Sequence, residues 1–403
     1  MTERRRVLVT GMGIVSPYGV GTELFWNNLV SGADGVTELS RFAADAFRVK
    51  AAGEFRGRIE ELADCPSGDL ATRFLLTAAG EALADAKLAT PVGRCGRTSV
   101  VMGTNFAQIE QGERLSRAGR AGQEPPRDAS EAFRTESAAM TVFERFGCNG
   151  TVSVLSLSCA SGNAALGEAT DLIRRGQADV ALAGGYDAIT EYVWAGLLAL
   201  RTMTSGQIRP FDAQRDGTVF GEGAACLVLE SAESARKRNA RVLAELAGYC
   251  TNNNAFHLTA PDKDGRSIAR AMKDALADAG ISPHQVDHVN AHATATRYND
   301  VTETAAIKEI LGERARQIPV NGIKSMIGHL MGAASAAEAV ATVKTLITGI
   351  VPPTIHYENP DPACDLDYVP NRANQFEVKV AINNSSGLGG CNSMVVFRKA
   401  DGL

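Results

Sequence analysis

The chain has 403 residues, of which 45% are hydrophobic and 22% charged, with a formal net charge of −5 at pH 7. Such a chain is long enough for one large domain or two fused ones, and too apolar to be disordered. Its mildly acidic balance argues against a nucleic-acid binder, and no apolar run is long enough to span a membrane.

Short apolar bursts alternate with longer helical stretches. Val7–Thr10 opens as a buried strand, Thr72–Ala86 has the spacing and alanine content of a helix, and Ser99–Met102 is again a strand. Residues 111–128 are polar, rich in Gly and Arg and without periodicity, which fits a lid or a solvated loop. The strand Val152–Leu157 leads through a turn into the helix Ser161–Arg175, and the strand Asp179–Ala183 ends on the turn Gly184-Gly185. A further strand lies within Val219–Leu229. The pattern then restarts, with strand Leu243–Ala247, helix Ser267–Ala279, strand Val286–Asn290 and helix Val301–Leu311. Helix Ala333–Thr348 and strands Val378–Ile382 and Ser393–Val396 follow. Strands alternating with helices predict an α/β fold with buried sheets. The similar make-up of residues 1–238 and 239–403 predicts two duplicated halves.

The eight cysteines form no C-x-x-C pair and no zinc-ligand spacing, so a reducing compartment is expected. The basic start has no signal-peptide apolar core, since Thr10, Gly11 and Gly13 break it. A cytoplasmic protein is expected. The segment G-M-G-I-V-S has Ser16 where a dinucleotide fingerprint needs its third glycine.

Cys159 lies in L-S-L-S-C-A-S-G-N, between a strand and a helix. A helix N-terminus lowers a thiol's pKa, and the small residues Ala160, Ser161 and Gly162 leave room for a substrate. A buried, inert cysteine is the competing reading. His292 in N-A-H-A-T-A-T follows a strand end, where open α/β sheets place ligands. His329 in K-S-M-I-G-H-L-M-G opens a small-residue helix that carries Glu338, five residues after Lys324. One cysteine and two histidines at the edges of successive α/β units form a stronger constellation than any of them alone. Near the C-terminus, G-L-G-G-C-N places glycines at 387, 389 and 390, which permits close backbone approach.

Taken in order, these motifs resemble the β-ketoacyl-acyl carrier protein synthases of the thiolase superfamily. The resemblance runs from V-L-V-T-G-M-G-I-V-S-P at Val7, through R-P-F-D-A-Q-R-D-G-T-V-F-G-E-G-A at Arg209 and V-P-P-T-I-H-Y-E-N-P-D at Val351, to G-L-G-G-C-N. It implies a five-layered αβαβα thiolase-like fold and an obligate dimer. It implies that Cys159 accepts an acyl chain from the phosphopantetheine of an acyl carrier protein. His292 and His329 would stabilise the enolate formed when a malonyl extender loses carbon dioxide. The backbone N–H groups of Cys159 and Leu388 would form the oxyanion hole, with Lys324 and Glu338 supporting the histidines. Asp300 and Glu303 match structural acids, and Thr294 and Thr296 stand beside His292. No metal and no organic cofactor is implied.

Ala293 and Ala295 replace small partners in the family's H-G-T-S-T or H-G-T-G-T. At the gate of the acyl pocket, around Gly387, Ser386 and Leu388 each stand where the family usually has phenylalanine, and Cys391 replaces a threonine. Ile109 matches a position lining the pocket. A smaller gate implies looser separation of the half-reactions, or a bulky or unsaturated acyl chain. The expected docking helix, D-C-P-S-G-D-L-A-T-R, is nearly devoid of positive charge, which leaves Arg209 and Arg201 as docking candidates. Homodimer and heterodimer with a chain-length-factor-like subunit both stay open, as do fatty-acid and polyketide or polyene elongation. The alternative is a non-catalytic or partner-dependent subunit that determines chain length, and the complete Cys-His-His set weighs against it.

Overall fold

The computed structural model describes residues 4–400. Eleven strands form its main sheet, ten along its path and the short Gly19–Val20 paired with the first of them. The first half supplies β1 (Val7–Ser16), β2 (Thr98–Gly103), β3 (Val152–Leu155), β4 (Val180–Asp187) and β5 (Gly223–Ser231). The second supplies β6 (Ala244–Asn253), β7 (His288–Asn290), β8 (Val320–Asn321), β9 (Val380–Ser386) and β10 (Cys391–Arg398). Their spatial order is β3-β2-β4-β5-β1 in one half and β8-β7-β9-β10-β6 in the other. Both halves therefore read third, second, fourth, fifth, first. In both, the second strand runs parallel to the third and fourth, and the fifth is antiparallel to its neighbours. The halves join where β1 meets β6 through Leu8↔Glu245 and Val9↔Ala244.

The helices repeat as well. Outer helices α1 (Leu70–Asp85) and α3 (Ser137–Arg145) cover the first sheet, and α5 (Arg266–Ala279) and α6 (Asn299–Leu311) lie on the second. Between the sheets run α4 (Ser161–Arg174) and α7 (Ala334–Thr348), each touching strands of both halves. These two are rich in Ala, Gly and Ser because a central helix is buried on nearly every side, α7 almost throughout and α4 except around Glu168. A Cβ on Gly162 would lie 2.7 Å from the Ala336 nitrogen, so only glycine lets α4 and α7 cross this closely. The result is a five-layered thiolase-like αβαβα stack.

Three expectations from sequence are corrected here. β1 runs through Gly11 and Gly13 to Ser16 rather than stopping at Thr10. A Cβ on Gly11 would sit 2.3 Å from the Ala82 carbonyl oxygen, and one on Gly13 2.1 Å from that of Ala78. These glycines thus seat α1 on the strand and serve no phosphate. Gly13→Ala is expected to lower stability by about 1–3 kcal/mol, because a backbone carbonyl has little room to yield; the midpoint of thermal or urea unfolding reads the change. Gly184 and Gly185 likewise sit inside β4, which continues to Asp187. A Cβ on Gly184 would meet the Ala225 carbonyl at 1.9 Å, so the pair marks close packing rather than a turn. The aperiodic stretch after Ile109 begins as a helix, α2 (Ile109–Arg120). Only Gln111 and Ala118 are buried along it, so it lacks the apolar stripe that would have betrayed a helix.

Candidate active site

The chain leaves β3 through a tight turn to Cys159. The Leu157 N–H donates to Ser161 Oγ at 2.8 Å, and that hydroxyl donates to the Ser158 carbonyl at 2.6 Å, so the first residue of α4 locks the turn. From the second half, Ser385 Oγ donates to the Cys159 carbonyl at 3.0 Å. His292 lies just past the end of β7, and Glu303 on α6 accepts from the His292 and Ala293 N–H groups at 2.6 and 2.9 Å. Ala293 and Ala295 hold φ of 46° and 60°, a left-handed backbone that glycine adopts more cheaply. His329 sits in a loop before α7 instead of opening that helix. There it is pinned to the first half, with His329 N–H donating to the Val219 carbonyl at 2.8 Å and Gly221 N–H to the His329 carbonyl at 2.9 Å.

These loops converge. Cys159 Sγ and one ring nitrogen from each of His292 and His329 all lie within 4.8 Å of one another, and all three residues are buried. The two imidazoles meet edge to face, with centroids 5.5 Å apart. His329 Nδ1 accepts from the Met331 N–H at 3.0 Å, so its proton sits on Nε2, a buried nitrogen with no partner among the described residues. Lys324 Nζ lies 3.3 Å from His292 Nδ1 and donates to the His292 carbonyl at 2.7 Å. An ammonium can only donate, so His292 Nδ1 accepts and its Nε2 also carries a proton. Lys324 is itself paired with Glu338 inside the protein.

Burial, helped by the Lys324 charge, pushes both histidines well below their ordinary range, so both are neutral near pH 7. Burial raises Glu338 and Glu303 to about 7 each, against the pull of Lys324 on Glu338 and of the donated N–H groups on Glu303. It also raises the Cys159 thiol, opposed by the Ser158 hydroxyl and the Lys324 charge. The sequence reading, based on the helix N-terminus, expected the opposite direction. Desolvation of a buried thiolate outweighs a partial charge. The chemistry available is a thiol nucleophile facing two uncharged N–H donors. The same three ligand atoms could hold a thiophilic cation, at the cost of both donors.

Among the other expected residues, Asp300 accepts from the Phe211 N–H at 2.8 Å, burial raising it to about 6. Thr294 and Thr296 share a hydroxyl contact of 3.0 Å beside His292. Gly387 touches the turn that carries Cys159, since a Cβ there would lie 2.9 Å from Ser158 Cβ and 3.1 Å from the Cys159 nitrogen. Ser386 Oγ donates to Asn392 at 2.8 Å, and the Leu388 N–H donates to Ser158 Oγ at 3.1 Å. Ile109, with Phe106, packs onto the cluster around Trp194, Phe220 and Met331. Arg209 is engaged by Glu358 at 2.9 Å, while Arg201 is exposed beyond the helix Glu191–Ala199.

Sequence reasoning missed two organising groups. Asp187, at the end of β4, accepts from Thr104 Oγ1 at 2.7 Å and from the backbone N–H groups of Asn105, Phe106 and Gly332. It thereby joins the turn after β2 to the loop after His329, and burial raises it to about 6. Asn163 and Asn383 donate across the seam, the first to the Asn383 and Ser393 carbonyls at 3.1 Å, the second to Asn163 Oδ1 at 2.9 Å and the Ser335 carbonyl at 2.8 Å. The available signal was polar residues inside apolar stretches, as in N-N-S-S before the gate.

The chain matches the β-ketoacyl synthase N-terminal domain over residues 4–235 and the C-terminal domain over residues 243–358, and it belongs to the β-ketoacyl synthase family. It is 37% identical over 99% of both chains to a 3-oxoacyl-[acyl-carrier-protein] synthase 2 of Staphylococcus aureus. It is 39% identical, over 98% of both chains, to a putative polyketide β-ketoacyl synthase 1 of Streptomyces cyaneus. Among solved structures, the ishigamide ketosynthase/chain length factor superposes with a TM-score of 0.92 at 34% identity, covering 98% of this chain and 100% of that one. A type II PKS acyl-carrier protein complex with its ketosynthase superposes with a TM-score of 0.91 at 38% identity, covering 99% of this chain and 100% of that one.

Proposed function

We propose that this chain is a β-ketoacyl-acyl carrier protein synthase that elongates fatty-acid or polyketide chains, with Cys159 as the acyl-bearing nucleophile. The observation that carries this is the pair of neutral imidazoles, each with Nδ1 occupied behind it and an Nε2 proton left for the substrate. The Cys159 sulfur attacks an acyl thioester, and the pantetheine thiol leaves with the sulfur's proton. Malonyl-carrier protein then binds with its thioester carbonyl accepting from both Nε2–H groups. Its carboxylate carbon departs as carbon dioxide, and the electron pair forms an enolate held by those donors. The enolate carbon attacks the acyl carbon on Cys159, the carbon–sulfur bond breaks, and the thiolate leaves. Burial favours re-protonation of that thiol. The negative charge of the transition states never has to be met by a buried cation at the donors, so carbonyl oxygen is polarised without a competing proton transfer. The N–H groups of Cys159 and Leu388 are the donors for the tetrahedral oxyanion.

The carrier's phosphopantetheine is the only prosthetic group this chemistry uses. The eight free thiols fit a cytoplasmic enzyme, and residues 1–238 and 239–403 are the two functional halves. Among the described residues, no helix is long and apolar enough to cross a membrane. The carrier protein docks near Arg209 and Arg201, and Ile109, Ser386, Gly387 and Leu388 shape the acyl pocket and gate. The likeness to a ketosynthase/chain length factor favours a heterodimeric partner of the same fold over a homodimer. A chain that elongates malonyl-carrier protein efficiently as a purified homodimer would rule that partner out.

The direct test is the intact mass of the protein, and of its Cys159 peptide, after incubation with a panel of acyl-carrier proteins. An acyl-sized gain at Cys159, followed by release as a β-ketoacyl-carrier product on adding malonyl-carrier protein, is the expected result. No gain in the presence of a co-expressed partner subunit would sink the reading. The pH profile gives a second expectation. Because both imidazoles are held neutral far below 6.5, the decarboxylation rate should show no histidine limb near that pH on descending from 8. Because Glu303 and Glu338 titrate at about 7 beside the pair, the rings are read directly: imidazole C–H resonances of His292 or His329 that titrate near 6.5 would contradict the buried, neutral pair.

A further inference from the structure

The residue before the nucleophile is not inert. Ser158 holds φ at 54°, a left-handed backbone that costs a side-chain-bearing residue of order a kcal/mol and marks functional sites more often than others. The conformation turns its side chain back into the site. Ser158 Oγ lies 3.8 Å from Cys159 Sγ and accepts from the Leu388 N–H at 3.1 Å. The hydroxyl therefore stands between the nucleophile and a donor of the oxyanion hole. Glycine at 387 makes the arrangement possible, since a side chain there would strike Ser158 Cβ at 2.9 Å. The Ser161 hydroxyl, donating to the Ser158 carbonyl at 2.6 Å, keeps the turn from relaxing.

A hydroxyl has one proton and two lone pairs. With a lone pair already taken by the Leu388 N–H, the proton is free to point at the sulfur. We propose that Ser158 is a working part of the nucleophile: its hydroxyl donates to Cys159 Sγ, and it holds the Leu388 N–H until an acyl oxygen displaces it. The donation stabilises the thiolate in a pocket whose burial otherwise disfavours it. The acceptance keeps a half-buried N–H satisfied while no substrate oxygen is present. When the acyl carbonyl arrives, rotation of the serine side chain about its Cα–Cβ bond clears the donor, and no covalent bond changes.

The inference rests on Cys159 being the nucleophile, but its test needs no carrier protein. Iodoacetamide alkylation of Cys159, followed by the mass of its peptide over a range of pH, separates this thiol from the seven others. Ser158→Ala removes the hydroxyl and keeps the strained backbone. Ser158→Gly removes the hydroxyl and relieves the strain. Both are expected to move the alkylation profile to higher pH, by about one unit, which below the thiol's pKa is about a tenfold slower reaction at a fixed pH. Parent-like profiles in both variants would overturn the proposal, as would slowing in the glycine variant alone, which would assign the effect to the backbone conformation. Amide exchange at Leu388 reads the second contact. It should quicken in both variants, and unchanged exchange would overturn the assignment of Ser158 to that N–H. Should no acyl adduct form on any carrier while these profiles still shift, the elongation reading fails and the role of Ser158 stands.

Discussion

Cys159→Ala is expected to abolish condensation, by on the order of a thousandfold or more, while malonyl-carrier protein is still decarboxylated at a rate of the same order as the parent. The separation follows from where the donors are anchored. His329 takes its orientation from the Met331 N–H, and His292 from Lys324, Glu303 and its own backbone, so neither imidazole depends on the sulfur. The methyl group leaves both Nε2 protons in place for the malonyl thioester. His329→Ala is the converse, removing one donor where charge develops; a loss of about a hundred- to a thousandfold in carbon dioxide release is expected, with alkylation of Cys159 retained. Release of carbon dioxide, measured beside acyl transfer, distinguishes the two variants. If Cys159→Ala lost both activities together, the thiol and the imidazoles would not be separable parts.

Lys324→Ala should be the most destabilising single change at the site. It leaves Glu338 buried without its ammonium, with one carboxylate oxygen already lacking a hydrogen-bond partner among the described residues. Breaking a buried pair in this way costs about 3–5 kcal/mol, visible in urea unfolding. The carboxyl will ease the loss by staying protonated, since it is already raised to about 7. The sign of that shift matters. A carboxyl that titrates higher when folded stabilises the fold fully below its unfolded value, and that contribution is lost as the pH rises through 7. In the lysine variant the loss of stability should accordingly be steeper on the alkaline side of neutrality. Lys324→Met combined with Glu338→Leu replaces the pair by apolar groups, and stability should return. Decarboxylation should not, because His292 Nδ1 then has no donor to fix its tautomer. A double variant that regained both would show that Lys324 serves only the fold.

The parts legible in sequence were those whose signal is local. Val7, Cys159, His292 and His329 sit in short motifs, and the alternating strands and helices follow apolar spacing that any buried sheet imposes. Lys324 and Glu338 gained roles only through the family resemblance, and their pairing with each other beside His292 is seen only in the fold. What escaped depends on contacts between distant segments. Asn163 and Asn383 are separated by 220 positions, and nothing near either says that they meet. Asp187 was hidden because Gly184 and Gly185 looked like a turn, whereas Gly184 is small because β5 lies against it and Gly185 because the Gly332 carbonyl does. The helix α2 was hidden by composition, having almost no buried side to show. The direction of the Cys159 shift was misjudged for the same reason. A helix end is visible in sequence, and the depth to which the fold then buries it is not.

The repeated strand order has a consequence for how this enzyme can change. Cys159 follows the third strand of its half and precedes the central helix, and His329 holds the matching place after β8 and before α7. The same place in the repeated order thus carries a thiol in one half and a proton-bearing imidazole in the other. Neither half alone brings Cys159, His292 and His329 together, so neither can be improved on its own. A substitution that shifts α4 is tested at once against α7, and the surviving variants will be those compensated across the joint. Inherited variation in this lineage should therefore be correlated between the halves at the central helices and free to wander on the outer ones.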